Sequence, residues 1–419
     1  MPKATNLIEA YNNFVVEPLE TEEEFEDFYV ERPKNAPSPI EELKDRIENA
    51  ESAKKYLFLG FRGCGKSTEL NRLTRLIDKD RFIIVSYSIK DELNVSDFDF
   101  RDFFASMALK IYDAAERENV ELQPDIKADF RDFMMDITKV SEEDVTKSRE
   151  AGISFSKLIH FKLGREAKTR EYIRKELETR ISDLIQKLNW LTMEVENKST
   201  KNIVIIVDDL DKLTRVEQAE DFFYKNYGLL IQPNCFVIYT FPIPLTFNPY
   251  YENVRHAFDA DIILPQLPVR SKNRKKKNEE NVNFYKRIVD KRMELDLIEV
   301  NALEGAILST GKTSEFISVM RDAAIKAHRN EREKITNEEV GNVLEKLRRT
   351  YDRTLTEAHK KRLLDIYDKQ EARDENTSDF ISRDLLFSLT AVEYEDKEGR
   401  WCDINPLLMP LVEKWKKAK

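Results

Sequence analysis

The sequence predicts an α/β protein: a parallel sheet with a glycine-rich turn and a helical insert, followed by a helical lid and a C-terminal winged helix. Three observations lead there. Short apolar runs recur at intervals that suit strands buried on both faces. A glycine-rich turn stands between the first of these runs and a helix. Beyond Pro268 the strand-like runs give way to helical spacing.

In chain order, residues 1–35 form an N-terminal segment with an acidic stretch, Glu20–Asp27, that ends in Phe28-Tyr29-Val30-Glu31-Arg32-Pro33. Asn35–Pro39 reads as a linker, and Ile40–Ala53 has helical spacing at Ile40, Leu43 and Ile47. Tyr56–Leu59 is the first strand, a helix runs from about Lys66 to Leu76, and Phe82–Tyr87 is the second strand. Residues 98–195 look helical, because Ile173, Leu177, Ile181, Leu184, Leu188 and Leu191 recur every three or four positions. Ile203–Val207, Cys235–Thr240 and Asp261–Leu264 supply three further strands. The first globular unit is thus expected over 36–268, with a helical insertion at about 98–200. A helical bundle over 282–348 sets a lid at 269–350. Within 351–419, a helix at Ser378–Leu389, a hairpin at Ala391–Ile404 turning at Asp396–Gly399, and a helix after Pro406 make a winged-helix-like unit.

Composition narrows the function. A net charge of −10 argues against attraction of the whole chain to nucleic acid or anionic lipid. Cys64, Cys235 and Cys402 are too few and scattered for a disulfide framework or a zinc site, and suit a reducing cytosol. No apolar run is long enough to span a bilayer and the N-terminus has no apolar signal core, so a cytoplasmic protein without membrane partners is expected. Glycine is scarce, 10 in 419, yet three lie within Gly60–Gly65.

Those glycines belong to Gly60-Phe-Arg-Gly-Cys-Gly-Lys66-Ser67, which fits G-x-x-x-x-G-K-[ST] between a strand and a helix. Backbone N–H groups of such a loop and the helix N-terminus favour phosphate. The motif therefore assigns Gly60, Arg62, Gly63, Cys64, Gly65, Lys66, Ser67 and Thr68 to nucleotide binding. Lys66 bridges the β- and γ-phosphates, and the Ser67 hydroxyl ligates magnesium. Ile203–Val207 followed by Asp208-Asp209 supplies acids at a strand's C-terminal end. Asp208 is the expected magnesium ligand and Asp209 the residue that polarises the attacking water; a plainer reading makes Asp209 or Asp211 a helix N-cap. The cofactors are ATP and Mg2+, because no Asn-Lys-x-Asp guanine reader occurs. Gly311-Lys312-Thr313 follows no strand and lacks the upstream glycine, so it is set aside as a decoy.

On these residues the chain resembles AAA+-related P-loop ATPases of the signal-transduction (STAND) branch, and is similar to bacterial defence-associated ATPases. Gly60–Leu70, Ile205–Leu213 and Val237–Leu245 carry the resemblance, which spans about 28–415. It implies that Tyr29, Val30 and Arg32 pack on adenine, and that Thr240, ending the fourth strand, senses the γ-phosphate. In such lids a Ser-Gly-Gly-x-x-Arg turn often brings an arginine to the phosphates; here Ser314 stands in its place, with Lys312 or Arg321 as substitutes. Slow or partner-stimulated hydrolysis follows, with Arg255, Arg165, Arg170 or Arg174 as an arginine offered in trans. An arginine finger is worth about 10³–10⁵ in rate, so its absence in cis suits a switch better than a motor. The implied partners are a second copy of the chain or a separate effector protein, and the implied setting is antiviral defence or stress signalling.

Two other functions stay open. Arg270–Lys277 holds six basic residues in eight and could grip nucleic-acid phosphates, as in a DNA-binding AAA+-like ATPase resembling origin-recognition proteins. Against that, residues 370–405 hold ten acids and four bases, which would repel a phosphate backbone. That unit is expected to pack inward through Phe380, Leu386, Trp401 and Leu407. A small-molecule kinase is the third reading; the long insertion and the C-terminal units argue against it.

Overall fold

The computed structural model describes residues 2–213, 215–372, 381–396 and 399–417. Five strands form one parallel sheet: β1 Lys55–Gly60, β2 Phe82–Ser88, β3 Asn202–Asp208, β4 Phe236–Pro242 and β5 Ala260–Ile263, in the order β2-β3-β4-β1-β5. Every residue of β1 and β4 is buried, which is why these strands appear in the sequence as unbroken apolar runs.

Alternate side chains go to opposite faces. Tyr56, Phe58, Val204, Ile206 and Ile238 meet helices α3 (Ile40–Glu48) and α4 (Lys66–Leu76) through Leu43, Ile47, Leu70 and Leu73. Leu57, Leu59, Ile205, Val207 and Tyr239 face the insertion and the C-terminal unit. In the insertion, the helix Phe100–Arg117 lies against the helix Ala167–Ser199, whose predicted apolar stripe is buried except for the half-buried Ile181. Phe103, Phe222, Phe223 and Phe241 form a chain of edge-to-face rings with centroids 4.6–5.0 Å apart.

A separate core unites helix α1 (Leu7–Asn13) with the lid helices Glu279–Arg292, Val300–Ser309, Thr313–Arg329 and Asn337–Thr354. Asn6 caps α1, and Ala10 and Phe14 pack beside Phe316 and Ala323. The N-terminal segment is therefore part of the lid's core. A sequence reading could not see this, because the packing partners lie some 300 residues apart. A second short helix, α2 (Glu22–Phe28), carries a capping box from Thr21 and Glu24.

The C-terminal unit comprises helices Glu357–Lys369 and Ile381–Phe387, the antiparallel pair β6 (Ala391–Asp396) and β7 (Gly399–Ile404), and a last helix, Met409–Lys417. As expected, it packs inward: Leu386 and Trp401 join the core on the sheet's insertion face, and Leu407 enters the lid core. Phe380, four of the ten acids (Asp374, Glu375, Asp379 and Glu398), the bases Arg373 and Lys397, and the start of the predicted 378–389 helix lie outside the described residues. No described helix is long and apolar enough to cross a membrane.

Candidate nucleotide site

Parallel strands place their carboxyl ends on one edge, and the site gathers there. Register fixes the neighbours: Ser88 pairs with Asp208, Val207 with Tyr239, and Gly60 with Pro242. The loop after β1 turns into α4 at Lys66. Lys66 is buried; its ammonium donates to Gly60 O (2.7 Å) and Phe61 O (2.9 Å) and forms an ion pair with the Asp211 carboxylate (2.9 Å). Burial alone would lower its pKa; the Asp211 carboxylate outweighs burial and holds it above the ordinary value.

Three carboxylates from the end of β3 and the turn after it, Asp208, Asp209 and Asp211, each offer an oxygen within 4.8 Å of the others. Burial, then the charges of Asp209 and Asp211, push Asp208 up to about 6, with a hydrogen bond from the Ser67 hydroxyl opposing them. Asp209 adopts φ +67° and lies under the sheet edge. It accepts from Ser88 Oγ (2.7 Å) and pairs with Lys90 (3.0 Å) and Lys212, which together overcome burial and lower its pKa. Apart from their ion pairs, Asp209 Oδ1 and both carboxylate oxygens of Asp211 receive no hydrogen bond. Hard oxygen donors with spare acceptor capacity fit Mg2+, with Ser67 and Asp208 as the residues that would hold it.

Beside these groups opens a cleft of about 320 Å³. The loop residues Gly63–Glu69 form its floor. The segment Val15–Leu19 and the stretch Phe28–Arg32 cover one side, and Phe284, Ile288, Arg292, Thr313, Ser314 and Ile317 of the lid the other. Segment 15–19 is strapped to α4 by Leu19 N donating to Thr68 Oγ1 (3.4 Å) and Asn71 Nδ2 donating to Leu19 O (2.9 Å). This strap was missed in the sequence, since an irregular segment leaves neither periodicity nor motif.

The structure gathers Lys66, Ser67, Asp208 and Asp209 at the sheet edge, and Gly63, Cys64, Gly65, Thr68, Tyr29, Val30 and Arg32 at the cleft. Several side chains are engaged differently from expectation. Tyr29 donates to Glu69 (3.2 Å), and Arg32 reaches Ala36 O (3.2 Å) and Pro265 O (2.5 Å). Arg62 turns away from the cleft to Asp211 O (2.8 Å) and Leu213 O (3.0 Å), with its guanidinium over the Phe387 ring of the C-terminal unit. Thr240 is not the last residue of β4, which continues to Pro242. Its buried hydroxyl accepts from Leu210 N (3.0 Å) and donates to Val207 O (3.3 Å), so it shapes the turn that carries Asp209.

The segment set aside as a decoy docks on the loop itself. Ser314 N donates to Gly63 O (3.0 Å), and Gly63 has φ +80°. A Cβ on Gly63 would lie 2.0 Å from Ser314 Oγ, and one on Gly311 would lie 2.6 Å from Asn405 Oδ1. Residues 311–314 are therefore wedged between the phosphate loop and the C-terminal unit. Lys312 is lowered by burial and meets Tyr351 Oη at 3.5 Å.

Two of the arginines proposed as trans donors are neither solvated nor free. Arg170 pairs with Asp97 (3.0 Å), and Arg174 with Asp97 (2.7 Å) and Asp102 (2.5 Å). Arg255 is half exposed, near Glu252 (3.3 Å) and Asp261 (3.6 Å). Arg165 lies over the Phe161 ring, and Arg321 pairs with Asp322 (3.0 Å).

Residues 39–239 match the KAP family P-loop domain. The fold is that of a P-loop NTPase. Similar solved structures include the Aeropyrum pernix ORC1 protein in complex with DNA (12% identity, 91% of this chain and 94% of that one, TM-score 0.42). Others are Cdc6p from Pyrobaculum aerophilum (13%, 92% and 96%, TM-score 0.41) and the Thermotoga maritima RuvB Holliday junction branch migration motor (12%, 90% and 93%, TM-score 0.35). No curated protein matches the chain. The match to the P-loop NTPase profile ends within β4, so it does not extend to the lid or the C-terminal unit.

Proposed function

We propose that this chain binds Mg2+-ATP in the cleft, hydrolyses it slowly or on contact with a partner, and uses the bound state to switch its assembly. One observation carries the reading. Lys66 and Ser67, adjacent on the phosphate loop, each meet an acid from the turn of β3, Asp211 and Asp208. A phosphate-loop lysine beside a hydroxyl–carboxylate pair is a donor set that matches a metal-chelated polyphosphate. Magnesium held by Ser67 and Asp208 would neutralise phosphate charge; Lys66 and the loop amides orient the chain of phosphates, and Asp209 orients the attacking water from its Ser88–Lys90–Lys212 cradle. Tyr29, Val30 and Arg32 border the base.

The output is a movement of the lid and the winged-helix-like unit. The wedge at 311–314 touches Gly63 on one side and Asn405 on the other, so a shift of the loop is felt in both. A second copy of the chain or an effector protein is the partner, and defence or stress signalling in the bacterial cytoplasm is the setting that the motif resemblance supports. Duplex DNA is disfavoured: Arg274 of the basic run is spent on Asp403 (2.9 and 2.7 Å) and Tyr367 O (2.6 Å), and Lys277 pairs with Glu304.

Calorimetry with Mg2+-ATP on the wild type and Lys66→Ala tests the binding, with uptake expected only in the former. Light scattering after size exclusion, with and without a non-hydrolysable ATP analogue, tests the switch. No uptake by folded wild type at millimolar ATP sinks the reading; unchanged mass removes the assembly half of it.

A further inference from the structure

The acids of the site balance Lys66, but the cleft also holds a buried cation that meets no carboxylate among the described residues. Arg292, the last residue of the helix Glu279–Arg292, lines the cleft and is 4% exposed. Its Nη1 donates to the carbonyls of Phe28 (3.2 Å) and Ile288 (3.3 Å), and its guanidinium sits 4.9 Å from the Phe28 ring centroid. Its Nε is buried without an acceptor. No carboxylate among the described residues acts on it, and burial alone lowers it to about 10. Arg170, Arg174 and Arg274, which also tie segments together, each hold an aspartate; Arg32 and Arg62 donate to main-chain carbonyls, as Arg292 does, but lie within the electrostatic reach of Glu69 and Asp211. A buried charge with neutral partners only is costly to a fold, so its retention calls for a ligand that uses it.

The surroundings select the ligand. Val15, Leu19, Phe28, Phe284 and Ile288 give the cleft apolar walls. Tyr285, which meets Thr313 beside the phosphate loop, lies seven residues back along the same helix, roughly 10 Å at 1.5 Å per residue. Arg292 therefore belongs to the end of the helix away from the phosphate loop, beyond the span of a ribose alone, where apolar walls suit a flat ring. Purines place ring-nitrogen acceptors on their edges, and a guanidinium is a forked donor that matches them.

We propose that Arg292 reads the base: its guanidinium donates to an acceptor on the edge of the purine ring held between the Val15–Leu19 strap and the helix Glu279–Arg292. This rests on the nucleotide reading above and adds a recognition residue that neither the phosphate-loop motif nor the aromatic segment at Tyr29 includes.

Calorimetry with two ligands, Mg2+-ATP and Mg2+-tripolyphosphate, on the wild type, Arg292→Met and Arg292→Lys tests the proposal. Tripolyphosphate has the phosphates without the base. Loss of a charge-assisted hydrogen bond predicts ATP weakened about tenfold or more in Arg292→Met, with tripolyphosphate unchanged. Without ligand, Arg292→Met melts at or above the wild-type midpoint, because an apolar side chain replaces an unbalanced cation; a purely structural arginine would give the reverse. If Arg292→Met does not fold, Arg292→Lys, which keeps the charge but not the fork, carries the test with a smaller loss confined to ATP. Unchanged ATP binding, or equal loss of both ligands, overturns the proposal. A wild type that takes up tripolyphosphate but gains nothing from the adenosine also overturns it, whereas one that takes up neither refutes the nucleotide reading itself.

Discussion

Replacing Asp211 by Asn separates the roles of the two buried partners of the phosphate loop. The Lys66–Asp211 pair has side chains 4% and 1% exposed at 2.9 Å, so neither charge is offset by water. Removing one member of such a pair leaves an uncompensated charge, at about 3–5 kcal/mol. Asn keeps the volume and one acceptor, which places the loss near the lower end, about 3 kcal/mol. An unfolding entropy of about 2.1 cal/mol/K per residue gives a chain of 419 residues roughly 1 °C of midpoint per kcal/mol, so the ligand-free protein should melt about 3 °C lower. Phosphates supply Lys66 with another counter-charge, so the loaded protein should lose about 1 kcal/mol only. The difference, about 2 kcal/mol, must appear as tighter binding, roughly 30-fold. Thermal unfolding with and without Mg2+-ATP, paired with calorimetry, reads both quantities. Equal destabilisation of free and loaded protein, or weaker binding, refutes the reasoning, because Asp211 would then not compete with phosphate for Lys66.

Asp209→Asn should bind Mg2+-ATP normally and lose turnover, measured by phosphate release; normal turnover would remove Asp209 from its assigned role. Asp208→Asn, or chelation of magnesium with EDTA, should weaken ATP at least tenfold, while the ATP affinity of Asp208→Asn becomes indifferent to EDTA. Gly63→Ala combines a left-handed backbone with a Cβ placed 2.0 Å from Ser314 Oγ, and should destabilise by about 1–3 kcal/mol; Ser314→Gly should relieve part of this in the double variant. Arg274→Ala leaves the buried Asp403 without its partner, and should loosen the C-terminal unit by about 2–5 kcal/mol, seen as faster limited proteolysis.

The sheet was legible because parallel strands covered on both faces must be apolar throughout, and β1 to β5 each fall within about two residues of the run that predicted them. The helix Lys66–Leu76 was legible at both ends, because the loop motif fixes its start. What escaped detection shares one property: contact between segments distant in sequence. Asp211 looked like a helix cap because nothing local shows its pairing with Lys66 across the sheet edge. Arg62 belongs to the motif, yet its side chain serves the turn after β3 and Phe387. The wedge at 311–314 lacked the strand that its motif requires, and its packing on Gly63 arises from the lid's position alone.

The burial of α1 among the lid helices has a consequence for synthesis on the ribosome. Leu7, Ala10 and Phe14 are made some 300 residues before Phe316, Val319 and Ala323, with which they share a core. At about 5–20 residues per second, that interval is about 15–60 s. Throughout it the apolar patch of α1 lacks its native mates in the lid, while the sheet, whose strands end at Ile263, can already close. Early fragments should therefore be the form of this chain most dependent on holding chaperones.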